Sequence, residues 1–424
     1  MLIDFSATNF RSISERQTFS IQTVSRISEL PEHVIENGNT NLLRSTVIYG
    51  RNASGKSNLI GAMDCLRNLV IKENNNLISG YRPFKICLHK PDSPVKFEIN
   101  FYAANNKRYA YEVSFTDSQV IKENLFYYPE GKKARLFLRN QDGLTTDLSS
   151  LKDNFKYIYP HHTILSRLHY FKIEPLLPVF EFFSKHFITE VFHDEYVDAF
   201  IEINKGMILD RKKEMPYHIE NLGKLMKIAD TGIDSIEIKQ MHYNDFAFPE
   251  NYSEDQKEHY LNANKIKVII KHPVYKNGNK AGLIDFDFEE ESAGTKKLFL
   301  FGSIMLDALS NGDVMIVDEL DKGLHPKLMQ AIIGIFNNPL TNPNNAQLIF
   351  TTHDVSLLRA KLFRRDQVYI TEKNLKGETS IFTLADIKGV RADVDFEKYL
   401  MKGVFGGIPS VNEFEFDFNL YHKK

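Results

Sequence analysis

The sequence predicts an α/β fold carrying an antiparallel β lobe and an inserted helical lobe, on three observations. Short apolar runs read as buried strands: Ser45-Thr46-Val47-Ile48-Tyr49, Val314-Met315-Ile316-Val317 and Ala346-Gln347-Leu348-Ile349-Phe350-Thr351-Thr352. Apolar and polar residues alternate over much of 95 to 138, with turn residues between the runs. From about 155 to 230 the pattern becomes helical, as in Pro175-Leu176-Leu177-Pro178-Val179-Phe180-Glu181-Phe182-Phe183 and Glu220-Asn221-Leu222-Gly223-Lys224-Leu225-Met226.

The first strand runs into Gly50-Arg51-Asn52-Ala53-Ser54-Gly55-Lys56-Ser57, which fits the template of Gly, four residues and Gly-Lys-Ser without a mismatch. Asn58-Leu59-Ile60-Gly61-Ala62-Met63 then reads as a helix start. Gly50 and Gly55 let the backbone curl so that amides and the helix N-terminus face a phosphate group, where the helix dipole favours negative charge. Lys56 becomes the point charge on the outer phosphates of a nucleotide, and Ser57 the hydroxyl ligand to magnesium. Arg51, Asn52, Ala53, Ser54 and Asn58 complete the expected nucleotide-binding stretch. The alternative is an ordinary glycine-rich turn, against which Lys-Ser and the flanking elements both argue.

Beyond the loop, Val95 to Phe101, Tyr109 to Val113 and Arg135 to Leu138 suggest antiparallel hairpins turned at Asn105-Asn106 and Gly131. The expected divisions are 1–150 for the first half of the head with its β lobe, 151–265 for an inserted, mainly helical lobe, and 266–424 for the second half of the head. Within the insertion, residues 241 to 265 read as a polar loop.

Ser292-Ala293-Gly294-Thr295, preceded by Glu291, opens a helical run; alone it is also a common helix cap, and its weight comes from lying just upstream of an acidic strand end. That end is Asp318-Glu319 after four apolar residues. Asp318 is the expected magnesium ligand and Glu319 the group that accepts a proton from, or orients, an attacking water. Taken alone the pair is also what a charged strand terminus looks like. Asp321, the Leu324-His325-Pro326 turn and Thr352-His353-Asp354 follow in order.

These stretches resemble the compact ABC-type AAA ATPases of bacterial defence, a group that includes the ATPase half of OLD-family proteins. Asn9-Phe10-Arg11-Ser12 and a terminal run of Tyr399, Gly403, Phe405-Gly406 and Pro409 belong to the same resemblance. The layout is most similar to the RloA/AbiLi-like group, with the ATPase of PARIS-type systems a near alternative. The resemblance implies a P-loop ABC-type ATPase head that uses ATP and magnesium. It also implies that Ser292, Ala293, Gly294 and Thr295 serve the nucleotide of a neighbouring subunit, that Asp321 lies on a loop crossing the subunit interface, and that His353 senses the gamma phosphate. A homo-oligomer with shared ATP sites follows. The glutamine loop of ABC enzymes has no clear counterpart: Gln119 fits by order, but Asp117-Ser118-Gln119 reads as a hairpin turn.

Composition sets the limits. A content of 42% hydrophobic residues over 424 positions supplies a large core. The strongest apolar run, Leu298 to Met305, is too short for a membrane span, and Met1-Leu2-Ile3-Asp4-Phe5 lacks the basic region of a signal peptide, so a cytoplasmic protein is expected. Cys65 and Cys87 form no metal-ligand pattern. A net charge of −2 argues against a dedicated DNA-coating surface; the local basic clusters Lys132-Lys133, Arg211-Lys212-Lys213 and Arg364-Arg365 read as solvated loops or interfaces, with phosphate contact the rarer alternative. Sustained heptads are absent, unlike the long coiled-coil SMC and Rad50 proteins.

Full-length OLD-type proteins continue into a Toprim nuclease that needs a Glu and an Asp-x-Asp. Asp393-Val394-Asp395 and Asp285-Phe286-Asp287 match Asp-x-Asp, but both lie inside the expected ATPase, and few residues follow Pro409. The expected function is therefore an ATPase that senses infection, through a phage-derived trigger, and controls a separately encoded effector, a Toprim-type nuclease foremost. The alternatives are a RecF-like DNA repair ATPase, which would bind nucleic acid, and a self-contained nuclease.

Overall fold

The computed structural model describes the chain apart from residues 39, 87–92, 190–216, 230–231, 249–250, 264, 360–361, 391–393 and 403–424. Cys87, the Arg211-Lys212-Lys213 cluster, Asp393 and the run Gly403, Phe405-Gly406, Pro409 lie outside the described residues. The chain divides into a larger unit, Leu2–Glu181 with Thr351–Lys424, and a central unit, Phe182–Phe350 with Met1.

The larger unit is built on a seven-stranded antiparallel sheet. Its strand order is Gly143–Thr146, Ala134–Asn140, Val120–Tyr127, Arg108–Phe115, Val95–Tyr102, Leu2–Thr8 and Gln17–Ser20. The alternation seen in sequence sets its faces: in Val95–Tyr102 every second residue, beginning with Val95, is buried. Phe97 is the hub of the inward face, with ring centroids 5.8 Å from Phe5, 5.3 Å from Phe10 and 5.6 Å from Phe115. Each such ring removes enough apolar area from water to stabilise the fold by about 1.5–3 kcal/mol. Asp117-Ser118-Gln119 is the expected hairpin turn, closed by the Thr116 amide on the Gln119 carbonyl at 2.9 Å.

The same unit holds the strand Ser45–Gly50, to which Val368–Lys373 pairs in parallel and then Thr379–Thr383 antiparallel. Ser45–Gly50 is buried along all but its last residue, as its apolar run predicts. The helix Lys56–Ile71 follows and buries Leu59, Ile60, Met63, Leu66 and Val70 along one side.

The central unit contains the strand Val314–Val317 and, up to Phe350, the parallel strand Gln347–Thr351, paired from Val314 with Gln347 to Val317 with Phe350, and Phe187–Ile188 beside Val314–Met315. A separate three-stranded antiparallel sheet, Ser235–Gln240, Ile266–Lys276 and Asn279–Asp287, precedes the helix Ala293–Asn311. The helical run at Glu220–Met226 lies in the helix His218–Ile228, which packs on Ala293–Asn311.

Two sequence expectations are corrected. Residues 241 to 265 are not loop throughout, because Glu254–Ala263 is a helix. Its start is locked reciprocally: the Gln256 amide donates to Ser253 Oγ at 3.2 Å and the Ser253 amide to Gln256 Oε1 at 2.9 Å. The Ser-x-x-Gln spacing was the available signal, masked by the polarity of the run. Arg364 is not a surface cation: it is buried, pairs with Asp366 at 2.9 Å and donates to the carbonyls of Ile27 and Glu29. Its neighbour Arg365 binds Glu29 Oε1 at 3.1 Å and the Val390 carbonyl at 2.6 Å, so this cluster fastens the chain to itself.

Candidate nucleotide site

In the larger unit the phosphate loop is shaped by close packing under its backbone. A Cβ on Gly50 would collide with the hydroxyls of Thr371 and Ser54 and lie 2.7 Å from the Thr371 carbonyl. Gly55 has φ of 115°, a conformation that side chains resist, and a Cβ there would meet Thr379. Ala53 also turns left-handed, at φ 63°. Both glycines of the motif are thus required by the fold itself.

Beneath the loop runs a chain of hydroxyls from distant parts of the sequence. Ser54 Oγ lies 2.6 Å from Thr371 Oγ1, Thr379 Oγ1 donates to the Ser54 carbonyl at 2.8 Å, and Ser12 Oγ lies 2.8 Å from Thr379 Oγ1. Asn58 Nδ2 donates to Ser12 Oγ at 2.6 Å, and Arg11 approaches Asn58 Oδ1 at 3.5 Å. Sequence reasoning missed Thr371 and Thr379, which no local pattern marks.

Asn9-Phe10-Arg11-Ser12 forms the tight turn that delivers Ser12. Asn9 and Arg11 are left-handed, and the buried Asn9 side chain donates to the Ser93 carbonyl at 2.7 Å and accepts from the Phe84 amide at 3.1 Å. Lys56 is buried and curls back so that Nζ donates to the carbonyls of Gly50 at 2.7 Å and Arg51 at 3.3 Å. Its charge is thereby centred in the loop. Arg51, Asn52, Ala53 and Ser57 are exposed, and Asn58 is half-buried.

His353 belongs to the same unit. The Thr352 amide donates to the Ile48 carbonyl at 3.4 Å and Tyr49 Oη to the Asp354 carbonyl at 3.0 Å, which sets the exposed His353 beside the end of the phosphate-loop strand. The predicted strand-end histidine and the predicted loop are therefore brought together.

The acidic strand end and the Ser292 segment lie in the central unit. Asp318 and Glu319 follow the fully buried strand Val314–Val317. Glu319 takes a left-handed backbone, φ 53°, and opens a turn in which the Lys322 amide donates to its carbonyl at 2.9 Å. A glutamate held in that region costs roughly 1–2 kcal/mol relative to its preferred conformations, and such strain concentrates at functional sites. Asp321 accepts the Leu324 amide through its carbonyl at 3.3 Å, and His325 caps the helix Pro326–Asn337 through Lys327 N at 3.2 Å.

Ser292 is the N-cap of Ala293–Asn311: Oγ accepts the Thr295 amide at 3.1 Å and lies 2.9 Å from Thr295 Oγ1. A Cβ on Gly294 would stand 4.0 Å from the Gly323 carbonyl, and one on Gly323 would stand 3.5 Å from Lys297 Cδ. The start of this helix therefore lies against the turn that carries Glu319 and Asp321. Between them is a cavity of about 30 Å³ lined by Lys297, Phe301, Asp318, Glu319 and Lys322 among others.

The Asp-x-Asp candidates have structural partners. Asp287 pairs with Lys267 at 2.7 Å, Asp285 with Lys271 at 3.8 Å, and Asp395 caps the helix Phe396–Met401 through the Lys398 amide at 3.0 Å. Among the described residues no group of three or more His, Cys, Asp or Glu side chains could hold a metal by itself. No helix among them is long and apolar enough to cross a membrane.

A protein-family profile described as "AAA domain, putative AbiEii toxin, Type IV TA system" matches residues 45–359, from the phosphate-loop strand through His353. The chain belongs to this AAA-domain family. No curated protein sequence matches it. Among solved structures, the SMC head domain from Thermotoga maritima is similar with 13% identity and a TM-score of 0.41, over 90% of this chain and 98% of that one. The SmcHead bound to the C-winged helix domain of ScpA gives 12% and 0.45 over 90% and 97%. An Smc head domain with an extended coiled coil, bound to the C-terminal domain of ScpA derived from Pyrococcus furiosus, gives 10% and 0.43 over 90% and 96%.

Proposed function

We propose that the chain is the ATP-hydrolysing sensor subunit of an anti-phage defence system and that it controls a separately encoded effector, a Toprim-type nuclease foremost. The observation that carries the ATPase part is the phosphate loop, with Lys56 centred on the carbonyls of Gly50 and Arg51 and both motif glycines packed where no side chain fits. The defence part is supported by the family, whose description names a putative AbiEii toxin of a type IV toxin–antitoxin system, and by the resemblance of the sequence motifs to OLD-like and RloA/AbiLi-like ATPases.

In this reading the loop amides and Lys56 hold the beta and gamma phosphates. Ser57 and Asp318 offer hard oxygen donors, a set that suits magnesium shared with substrate phosphates, so they would hold the metal, which when bound shields phosphate charge. Glu319 orients water for attack, and His353 reads the gamma phosphate from beside the loop. Ser292 to Thr295 present a capped helix N-terminus, the element that would close on a neighbour's nucleotide in a homo-oligomer, with Asp321 on the interface loop.

Phosphate release by wild type, Lys56→Ala and Glu319→Gln tests the chemistry. Phage plating with the chain and its neighbouring reading frame, with and without Lys56→Ala, tests the role. Protection that needs both genes and an intact Lys56 supports the proposal. ATP hydrolysis stimulated many-fold by DNA, without phage protection, would favour the RecF-like alternative.

A further inference from the structure

We infer that His272 is a positioning residue for the Ser292–Thr295 segment, acting through Glu291; the inference rests on the ATPase reading above. His272 sits in the strand Ile266–Lys276 and reaches two groups at once. Its Nδ1 lies 3.0 Å from the Gly232 carbonyl, and its Nε2 lies 2.6 Å from Glu291 Oε1. The Gly232 oxygen can only accept, so Nδ1 carries a hydrogen. Nε2 and Glu291 Oε1 then hold one proton between them, a short charge-assisted contact.

The surroundings fix this contact. The His272 ring packs on Phe286 with centroids 4.6 Å apart, and the Glu291 side chain is 8% exposed. A carboxylate so nearly removed from water needs such a partner, because leaving it without one costs more than the bond contributes. Glu291 directly precedes Ser292, whose hydroxyl caps the helix through Thr295. The cap follows the sheet's last strand through the short turn Phe288–Glu290, Lys296 pairs with Glu289 and Phe288 packs on Phe299 across the same junction, and His272 adds a tie from the middle strand to Glu291 itself. The capping hydroxyl holds the first turn of the helix closed through the Thr295 amide, and a looser Glu291 lets that first turn fray.

The two nitrogens of the ring can be replaced separately. His272→Gln places its amide nitrogen near the position of Nε2 and keeps a donor to Glu291. His272→Asn places its amide near Nδ1 and keeps only the tie to Gly232. If the role of His272 were to fasten the sheet to Gly232, asparagine would be the better substitute; if it is to position Glu291, glutamine is.

The experiment measures kcat and KM for ATP in the full-length wild type, His272→Gln, His272→Asn and Ser292→Arg, and hydrogen exchange over residues 291–298 in the same proteins. A charge-assisted hydrogen bond is worth about tenfold or more in an equilibrium. The expected result is a kcat about tenfold lower in His272→Asn with KM nearly unchanged, most of it restored in His272→Gln. Exchange over 291–298 should be faster in His272→Asn alone. Equal kcat and equal exchange in the two variants, or a better asparagine than glutamine, would overturn the inference. If Ser292→Arg hydrolyses ATP like wild type, the proposed role of the segment fails even where the exchange result stands.

Discussion

The left-handed backbone of Glu319 allows the strain at the proposed catalytic turn to be separated from its chemistry. Three substitutions remove the carboxylate: Gln, Ala and Gly. Only glycine also relieves the backbone, because it reaches φ of 53° at no steric cost. The strain relieved is roughly 1–2 kcal/mol, and the extra freedom glycine gives the unfolded chain offsets roughly 0.4–1 kcal/mol of it. Glu319→Gly should therefore be more stable than Glu319→Ala by about 0.8 kcal/mol at the midpoints of these ranges, a difference of about 1 °C in melting temperature for a chain of this length. All three should bind ATP, since Lys56 and the phosphate loop are untouched, and all three should lose turnover by about 10²–10⁴-fold, the usual worth of a positioned acid or base. Chemical denaturation with phosphate release on the same preparations reads both effects. An alanine variant as stable as the glycine variant would refute the claim that the turn is strained, and normal hydrolysis by Glu319→Gln would remove the residue from catalysis.

Magnesium ATP should raise the melting temperature of the wild type, with about 2.7 kcal/mol of added stability at a hundredfold excess over Kd, and should not raise that of Lys56→Ala; equal shifts would place the nucleotide elsewhere. Gly50→Ala should lose nucleotide binding and also melt lower without nucleotide, because a Cβ would displace Thr371 and Ser54; a variant with wild-type affinity by calorimetry would contradict the packing argument. Ser292→Arg and Lys56→Ala should each be inactive yet recover some ATPase activity when mixed and allowed to exchange subunits. A wild type that stays monomeric by light scattering with ATP bound, hydrolysing at a rate per subunit independent of concentration, would exclude shared sites. Burial pushes the Cys65 thiol up to about 12, so in a Cys87→Ser background it should react with a thiol reagent at pH 8 only after denaturation; rapid labelling of the native protein would contradict its burial.

The parts of the site that were legible in the sequence are those fixed by local pattern. The strand-loop-helix around Gly50 to Asn58 combines an apolar run, two required glycines and a helical period, and the structure carries each where the pattern puts it. Ser292 was legible as a cap because capping is a contact between residues three apart. By contrast, the support of the loop by Ser12, Thr371 and Thr379 joins hydroxyls hundreds of residues apart, and threonine in a strand is ordinary. The reversed backbone of Glu319 was hidden too, since glutamate carries no signal for it. At Arg364 a pair of adjacent arginines suggested a cationic surface, while the deciding fact was an acid two residues on, Asp366, that draws the side chain inward.

The hydroxyl chain under the phosphate loop has a consequence for synthesis on the ribosome. Ser54 and its partner Thr371 are separated by 317 positions. At translation rates of about 5–20 residues per second, the loop waits about 15–60 s between its own emergence and that of its floor. Until then Lys56 and Ser12 are present, but Thr371 and Thr379 are missing from beneath Gly50 and Gly55. A nascent chain should therefore be blind to nucleotide until the strands Val368–Lys373 and Thr379–Thr383 are out of the exit tunnel. Competence would arrive late and all at once, so that a half-made chain could neither capture ATP nor engage a partner that depends on it.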